Sequence, residues 1–460
     1  MRIVIIGAGP TGLGAAHRLR ELGHEDFLVV DRAPYFGGLA TSFVDEKGFT
    51  WDFAVHVAHS HYRYVDELMD QLLPDGFYHH QRASWVRQYG RFIPYPFQNN
   101  IRHLPGDALW DCVKGLLEIQ HQGASVPPEN FEEWILGIFG QGIADHFMLP
   151  YNRKVWCTDP CDMGYQWIGD RVPTVDMERV VRNICTEQDD VGWGPNSTFQ
   201  FPKEGGTGAI WKKLGESLPQ EKVRLRCPVT GLDVQAKTIT LDDGSVEPYD
   251  HLISTIPLKV LAPMTGLSHL EALAGRLKYT HVQVAGIAPS MPLPKQLDDK
   301  TWMYIPEEEA VFYRVTPFSQ FSPAHVPDPE NQCSLLCEIS TPGDGEVLEG
   351  DLGARTIEDL RKTGIIDADP ATTHCYMMET EYGYPIPTID RDEILAELLP
   401  GLEEYQIFSR GRFGGWKYEV ANMDHSLMQG VECVNRLLEG GDEPTINDPA
   451  RVNAPENKER

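Results

Sequence analysis

Residues 2–34 read RIVIIGAGPTGLGAAHRLRELGHEDFLVVDRAP. Ile3 to Ile6 is a continuously apolar run, the pattern of a parallel strand buried on both faces, and Leu13, Ala16 and Leu19 recur at helical spacing. A second apolar run, Phe27 to Val30, completes a strand, helix, strand unit. Between the first strand and the helix stands Gly7-Ala8-Gly9-Pro10-Thr11-Gly12, a G-x-G-x-x-G turn, and Asp31 closes the second strand. Gly7 permits the tight turn, Gly9 lets backbone approach a pyrophosphate, and Gly12 lets helix pack on strand. The helix N-terminus offers unpaired N–H groups to phosphates, and Asp31 a carboxylate to a ribose hydroxyl. The unit predicts an α/β fold with a Rossmann-like dinucleotide-binding domain at the start of the chain.

Working outward, 460 residues are too many for one simple core, and two or three domains are expected. The net charge is −28 and the acidic residues are spread along the chain. Such a surface repels nucleic acid and anionic membranes, so an anionic substrate must be caught by a local group of arginines. Nine cysteines at irregular spacings make no disulfide framework, and the C-x-x-x-C pairs Cys157/Cys161 and Cys333/Cys337 are not zinc-ribbon spacings. Reduced thiols, no signal sequence and no bilayer-length apolar run make a cytoplasmic protein without membrane insertion the expectation.

Just past Asp31, residues 33–42, APYFGGLATS, carry a second glycine pair, Gly37-Gly38. FAD enzymes of the glutathione reductase and amine oxidase type use such a pair where the chain passes the flavin's diphosphate and ribityl, and NAD-only dehydrogenases need none. Residues 411–430, GRFGGWKYEVANMDHSLMQG, resemble the C-terminal flavin-contacting strip of the same class. FAD is therefore the expected cofactor, held between the first and last parts of the chain. Residues 53–72, FAVHVAHSHYRYVDELMDQL, gather His56, His59 and His61, with His79-His80 beyond. His56 and His61 are not at the spacing of a zinc helix motif and no Glu falls where it is needed, so no metal site is expected.

Four further segments carry a more specific likeness: HQRASWVRQYGRFIPYPFQNN (80–100), ADHFMLPYNRKVW (144–156), GWGPNSTFQFPKEGGTGAIW (192–211) and SRGRFGGWKYEVANMDHS (409–426). In their order along the chain they resemble the signature segments of eukaryotic-type UDP-galactopyranose mutases, a likeness running from Arg2 to Glu439. The resemblance implies a redox-neutral isomerase that interconverts pyranose and furanose forms of a UDP-sugar, with reduced flavin N5 as nucleophile on the anomeric carbon and NADPH as reductant. A related isomerase on another nucleotide sugar, or an FAD oxidase of the amine oxidase type, is the alternative.

The same resemblance assigns the residues. Tyr95, Phe97, Gln98, Phe147, Asn152 and Trp156 match the uridine pocket; Arg171 and Arg314 the diphosphate arginines; Tyr304, Tyr384 and Tyr418 tyrosines that reach the phosphates; Asn196 a mobile-loop residue that closes over substrate. His56 matches the histidine over the flavin ring, and Arg82, Ser84 and Arg412 match positions that receive NADPH. Gly7, Gly9, Pro10, Thr11, Gly12, Asp31, Arg32, Gly38, Leu39, Val229, Arg412, Asn422, Asp424 and Ser426 are expected to hold FAD. His61 is expected to begin or cap a helix, and the clustered histidines to line the cofactor. One departure stands out: the resembled family has two glycines before its flavin histidine and an aromatic three places after, where this chain has Ala54-Val55 and His59. Val55 restrains backbone movement on flavin reduction, fills sugar space, or is a tolerated substitution in an otherwise ordinary mutase.

The expected organisation is an FAD-binding domain in three pieces (1–95, 205–281, 379–439), an inserted α-helical nucleotide-binding domain with mobile loops (96–204), an antiparallel β-sheet substrate domain (282–378), and a polar, disordered tail (440–460).

Overall fold

In the computed structural model, residues 1–74, 76–122, 127–169, 172–192, 197–345, 348 and 350–454 are described. The apolar runs read from the sequence become the centre of a five-stranded parallel sheet. Ile3–Ile6 lies between Phe27–Val30 and His251–Ser254, with Ile407–Ser409 and Val223–Arg224 at the edges. Both faces are covered, which is why these strands are continuously apolar rather than alternating. On one face pack the helix Pro10–Glu21 and the long helix Met423–Glu439. On the other lie Leu258–Met264, Ser268–Arg276 and Arg391–Glu403. The first and last parts of the chain thus build one body.

A second sheet of seven strands has the order 374–385, 279–288, 335–342, 314–317, 302–304, 84–88, 91–94. Its pairings are antiparallel except one, where Trp302–Tyr304 runs parallel to Ser84–Gln88. The strands Ser84–Gln88 and Arg91–Pro94 therefore extend the large sheet, although the sequence division at residue 95 assigned them to the flavin domain. Helices Gly106–Gln122, Phe131–Ile143, Leu149–Trp156 and Met177–Thr186 gather around an apolar core with Phe131, Phe139 and Phe147, which Val86 and Ile93 of the large sheet join. This is the inserted helical domain.

The tail expectation needs correction. Pro444–Asn447 and Pro449–Asn453 are helices, each with proline at its first turn, and Thr445, Ile446 and Val452 are buried. Glu443, 1% exposed, accepts from the equally buried Arg410 at 2.6 Å. The segment is polar by composition, but its few apolar residues and this ion pair dock it on the parallel sheet's body. Among the described residues no helix is long and apolar enough to cross a membrane, and all nine cysteines are free thiols.

Candidate flavin and nucleotide-sugar site

A cavity of about 580 Å³ opens at the C-terminal ends of Ile3–Ile6 and Phe27–Val30, where α/β sheets bind their ligands. Its wall includes Gly7, Gly9, Pro10, Thr11, Asp31, Arg32, Gly38, Leu39, His56, Val229, Arg412, Asn422 and Ser426, drawn from five separated stretches of sequence. The turn is built as its composition demands. Gly7 has φ +110°, and a Cβ on Gly12 would stand 1.8 Å from the Gly7 carbonyl oxygen, so the helix can start this close to the strand only without one. Gly12 supports the cradle from beneath and is not part of the wall. Asp31 accepts the Ala8 N–H at 2.6 Å and the Ala33 N–H at 2.7 Å, fixing the turn while it faces the cavity; burial raises its pKa.

The histidines separate. His56 lines the cavity, and its pKa falls to about 4, chiefly through desolvation and next through the charge of Arg412. Among the described residues its buried Nδ1 meets no hydrogen-bond partner. His61 precedes the helix Arg63–Leu72, whose N-cap is Tyr62, and turns instead to Asp424, donating its backbone N–H at 2.9 Å with Nδ1 at 2.8 Å. His80 sits on strand Phe77–Gln81 against the Phe321 carbonyl. The expectation that these histidines together line the cofactor site is corrected: His56 is part of the cavity wall, and His61 and His80 are not. Asp424, assigned above to FAD, is corrected with them. At 2% exposure it lies in the first turn of Met423–Glu439 on the face toward His61 and His425, while Asn422 and Ser426 face the cavity. Burial would raise its pKa, but the charges and hydrogen bonds of its histidines hold it far below the carboxylate range. His61, Asp424 and His425 bring three potential metal-ligating atoms within 4.8 Å, a grouping invisible when the histidine run is read alone.

Beyond Arg412 the character changes from backbone to side chains. Arg412 donates to the carbonyls of Gly383 and Ala421 and lies 5.0 Å from the Tyr384 ring centre and 5.6 Å from that of Tyr418. Tyr384 and Tyr418 meet Trp156 at 5.6 and 4.9 Å. A second aromatic chain runs Phe97, Phe147, Tyr151, Tyr304, Tyr95, with successive centroids 4.7, 5.4, 5.2 and 5.2 Å apart. Asn152 is fixed between the Met148 carbonyl and the Trp156 indole N–H. Gln98 is almost wholly buried and donates to the Pro173 carbonyl.

Arg314 lies opposite Glu338 in the large sheet and donates to it twice, Nε to Oε1 at 2.7 Å and a terminal nitrogen to Oε2 at 2.6 Å. Tyr313 donates its hydroxyl to Oε2 at 2.7 Å, and the Val55 N–H points at Oε1 at 3.4 Å. Desolvation works against the Arg314 charge, yet Glu338 outweighs it and keeps the guanidinium firmly protonated. Val55 packs against the same apolar group as Tyr304 and Tyr384, with its amide aimed at Glu338 and its neighbour His56 in the cavity wall. Arg82 stacks over Trp302 at 4.9 Å and points at Ser84 Oγ. Arg171 and Asn196 lie outside the described residues. Glu338, Tyr313, Tyr151 and Trp167, 5.4 Å from Tyr418, are site or wall residues that the sequence reading missed.

The cavity fits FAD. It has the size of a ligand pocket, a phosphate cradle that a Cβ would block, an acidic residue facing inward, and a buried imidazole nitrogen with no partner among the described residues.

Residues 10–376 match the family model described as flavin containing amine oxidoreductase. The crystal structure of a reduced UDP-galactopyranose mutase aligns with a TM-score of 0.92 and 43% identity over 98% of this chain and 97% of that one. The "Probable UDP-galactopyranose mutase" of Klebsiella pneumoniae is 23% identical over 180 residues, 35% of this chain and 42% of that protein. The "Probable zeta-carotene desaturase" of Synechococcus elongatus is 34% identical over 85 residues, 17% of this chain and 18% of that protein. These two curated relatives are thus matched over less than half of their length. The family model and the near-complete alignment with a mutase agree with the geometry: the chain belongs to the flavin containing amine oxidoreductases and, among them, to the UDP-galactopyranose mutase family.

Proposed function

We propose that this protein interconverts the pyranose and furanose forms of a UDP-sugar with FAD in its reduced state, leaving the flavin's redox state unchanged. The observation that carries the reading is the continuity of two sites. The flavin cavity reaches His56 and Arg412; Tyr384 and Tyr418 stand over Arg412 and against Trp156, and the Tyr384 hydroxyl meets that of Tyr313 beside the Arg314 guanidinium. An apolar substrate has no use for that set. A nucleoside diphosphate uses all of it: rings for the base, arginine for the phosphates.

Bound and reduced, FAD supplies the nucleophile for the anomeric carbon. The chain's part is to bind, orient and exclude water. Arg314 spends two of its donors on Glu338, which locks the guanidinium plane and leaves its other N–H groups for phosphate oxygens. Tyr304 accepts from the Trp302 indole at 2.9 Å and so keeps its own proton to donate. The imidazole of His56, neutral at pH 7, can hold a hydrogen bond at the flavin without adding charge to the cavity. Arg171 joins Arg314 in this reading as the second diphosphate arginine, Asn196 closes over the substrate, and Arg82 and Ser84 receive NADPH. Val55 narrows the sugar side.

The test is a screen of UDP-sugars, hexoses and pentoses, against the FAD-loaded, dithionite-reduced protein, with pyranose and furanose forms separated by chromatography. Interconversion of at least one UDP-sugar supports the reading. Oxidation of substrate coupled to oxygen consumption would replace it with an oxidase.

A further inference from the structure

Asp52 is wholly buried, 0% exposed, on the short strand Thr50–Asp52, and among the described residues it forms no ion pair. A carboxyl in such a place costs stability, and it persists only where its hydrogen bonds matter. It accepts two hydrogen bonds, and a third carries the connection on from Thr207 to His56. The Ser42 hydroxyl donates to Oδ1 at 2.5 Å, and Ser42 in turn accepts the Gly208 N–H at 2.8 Å. The Thr207 N–H donates to Oδ2 at 3.2 Å. The Thr207 hydroxyl donates at 2.5 Å to the backbone carbonyl of His56. Asp52 therefore ties together the segment after the second glycine pair, the start of the helix Gly208–Ser217, and the histidine that lines the flavin cavity. Gly206 leaves room for it: a Cβ there would stand 2.3 Å from Oδ1.

We propose that Asp52 is a positioning residue that acts through Thr207 on the His56 carbonyl, setting where the His56 segment stands against the flavin. It touches neither cofactor nor substrate. The inference rests on the mutase reading for its kinetic consequence, but not for its spectroscopic one. With the segment displaced by a fraction of an ångström, UDP still binds through Arg314 and the aromatic rings, and the reacting atoms lose alignment.

The experiment compares Asp52→Asn, Thr207→Val and Thr207→Ser as FAD-loaded proteins. Asp52→Asn and Thr207→Val are each expected to shift the visible circular dichroism of the bound flavin without loss of FAD content. Each is expected to lower kcat roughly tenfold to a hundredfold with KM for the UDP-sugar within about twofold, the signature of misplaced rather than unbound substrate. Thr207→Ser keeps the hydroxyl and restores both readings. Unchanged dichroism and kcat in Thr207→Val overturns the proposal, and so does a Thr207→Ser protein as impaired as Thr207→Val, since a packing role would follow the lost methyl. If Asp52→Asn does not fold, the two Thr207 variants decide alone. The dichroism is read without substrate, so a wild-type protein that turns over no UDP-sugar sinks the mutase reading while leaving this comparison standing.

Discussion

The flavin cavity and the nucleotide-sugar region lie side by side but are built from different material. The first is framed by backbone turns, with side chains such as Asp31, His56 and Arg412 between them: a glycine turn, a helix start, Gly38 of the second glycine pair and the N-terminus of the helix Met423–Glu439. The second is made of side chains that converge from the helical domain, the large sheet and the strip around Tyr418. A backbone site fails when something is added to it, a side-chain site when something is taken away.

The sharpest break of that comparison is Gly12→Ala. Its added methyl has nowhere to go but into the Gly7 carbonyl, so the helix must move off the strand and the phosphate cradle with it. The purified variant is expected to be colourless or unfolded, read from flavin absorbance and far-UV circular dichroism. On the other side, Arg314→Ala is expected to weaken UDP binding by about 2 to 4 kcal/mol by calorimetry, the cost of a charge-assisted contact in a desolvated site with Glu338 left unpaired. FAD content stays at the wild-type level, and if it falls in step with UDP affinity, the two regions are not separable.

Val55→Gly sharpens the border between them. With Val55 packed against the same apolar group as Tyr304 and Tyr384 and its amide aimed at Glu338, the expected effect is on the sugar: preference shifts from a UDP-pentose toward UDP-galactose by roughly 1 to 3 kcal/mol in kcat/KM, while flavin reduction kinetics are unchanged. A change in reduction rate common to all sugars would assign Val55 to the flavin instead.

The smallest effect is in stability. Burial raises the Asp52 pKa from 3.8 to about 7, and hydrogen bonds from Ser42 and Thr207 hold it down only in part. The folded state thus binds a proton that the unfolded state has lost between these values. The stability Asp52 contributes is present below the unfolded pKa and lost as pH rises through about 7. Asp52→Asn removes that slope, so its melting temperature should rise relative to wild type by a few degrees between pH 4 and pH 8. A constant difference across that range would show that the carboxyl does not titrate there.

The two regions were also unequally legible in the sequence. The turn from Gly7 to Gly12, Asp31 and Gly37-Gly38 are local patterns whose meaning lies in backbone geometry, and Gly7, Gly9, Asp31 and Gly38 stand in the cavity wall. The pairing of Arg314 with Glu338 depends on strand register across a sheet, and Tyr151 faces Tyr304 only after the helical domain docks; no local pattern announces either. Asp424 was misplaced for a similar reason. Its neighbours Asn422 and Ser426 do face the cavity, and only the packing of His61 against the helix start decides that Asp424 turns the other way. At the C-terminus the signal was present and outvoted: Pro444 and Pro449 each open a helix, but polar composition suggested a tail.

The central claim is that flavin is used without being consumed, and counting turnovers against electrons tests it most directly. The FAD-loaded protein is reduced anaerobically with one equivalent of dithionite per flavin, given excess of the UDP-sugar that the screen identifies, and followed by chromatography and flavin absorbance together. The account predicts many furanose molecules per flavin with the visible band still bleached at equilibrium. Product limited to one molecule per flavin, or return of the oxidised band in step with substrate conversion, would contradict it.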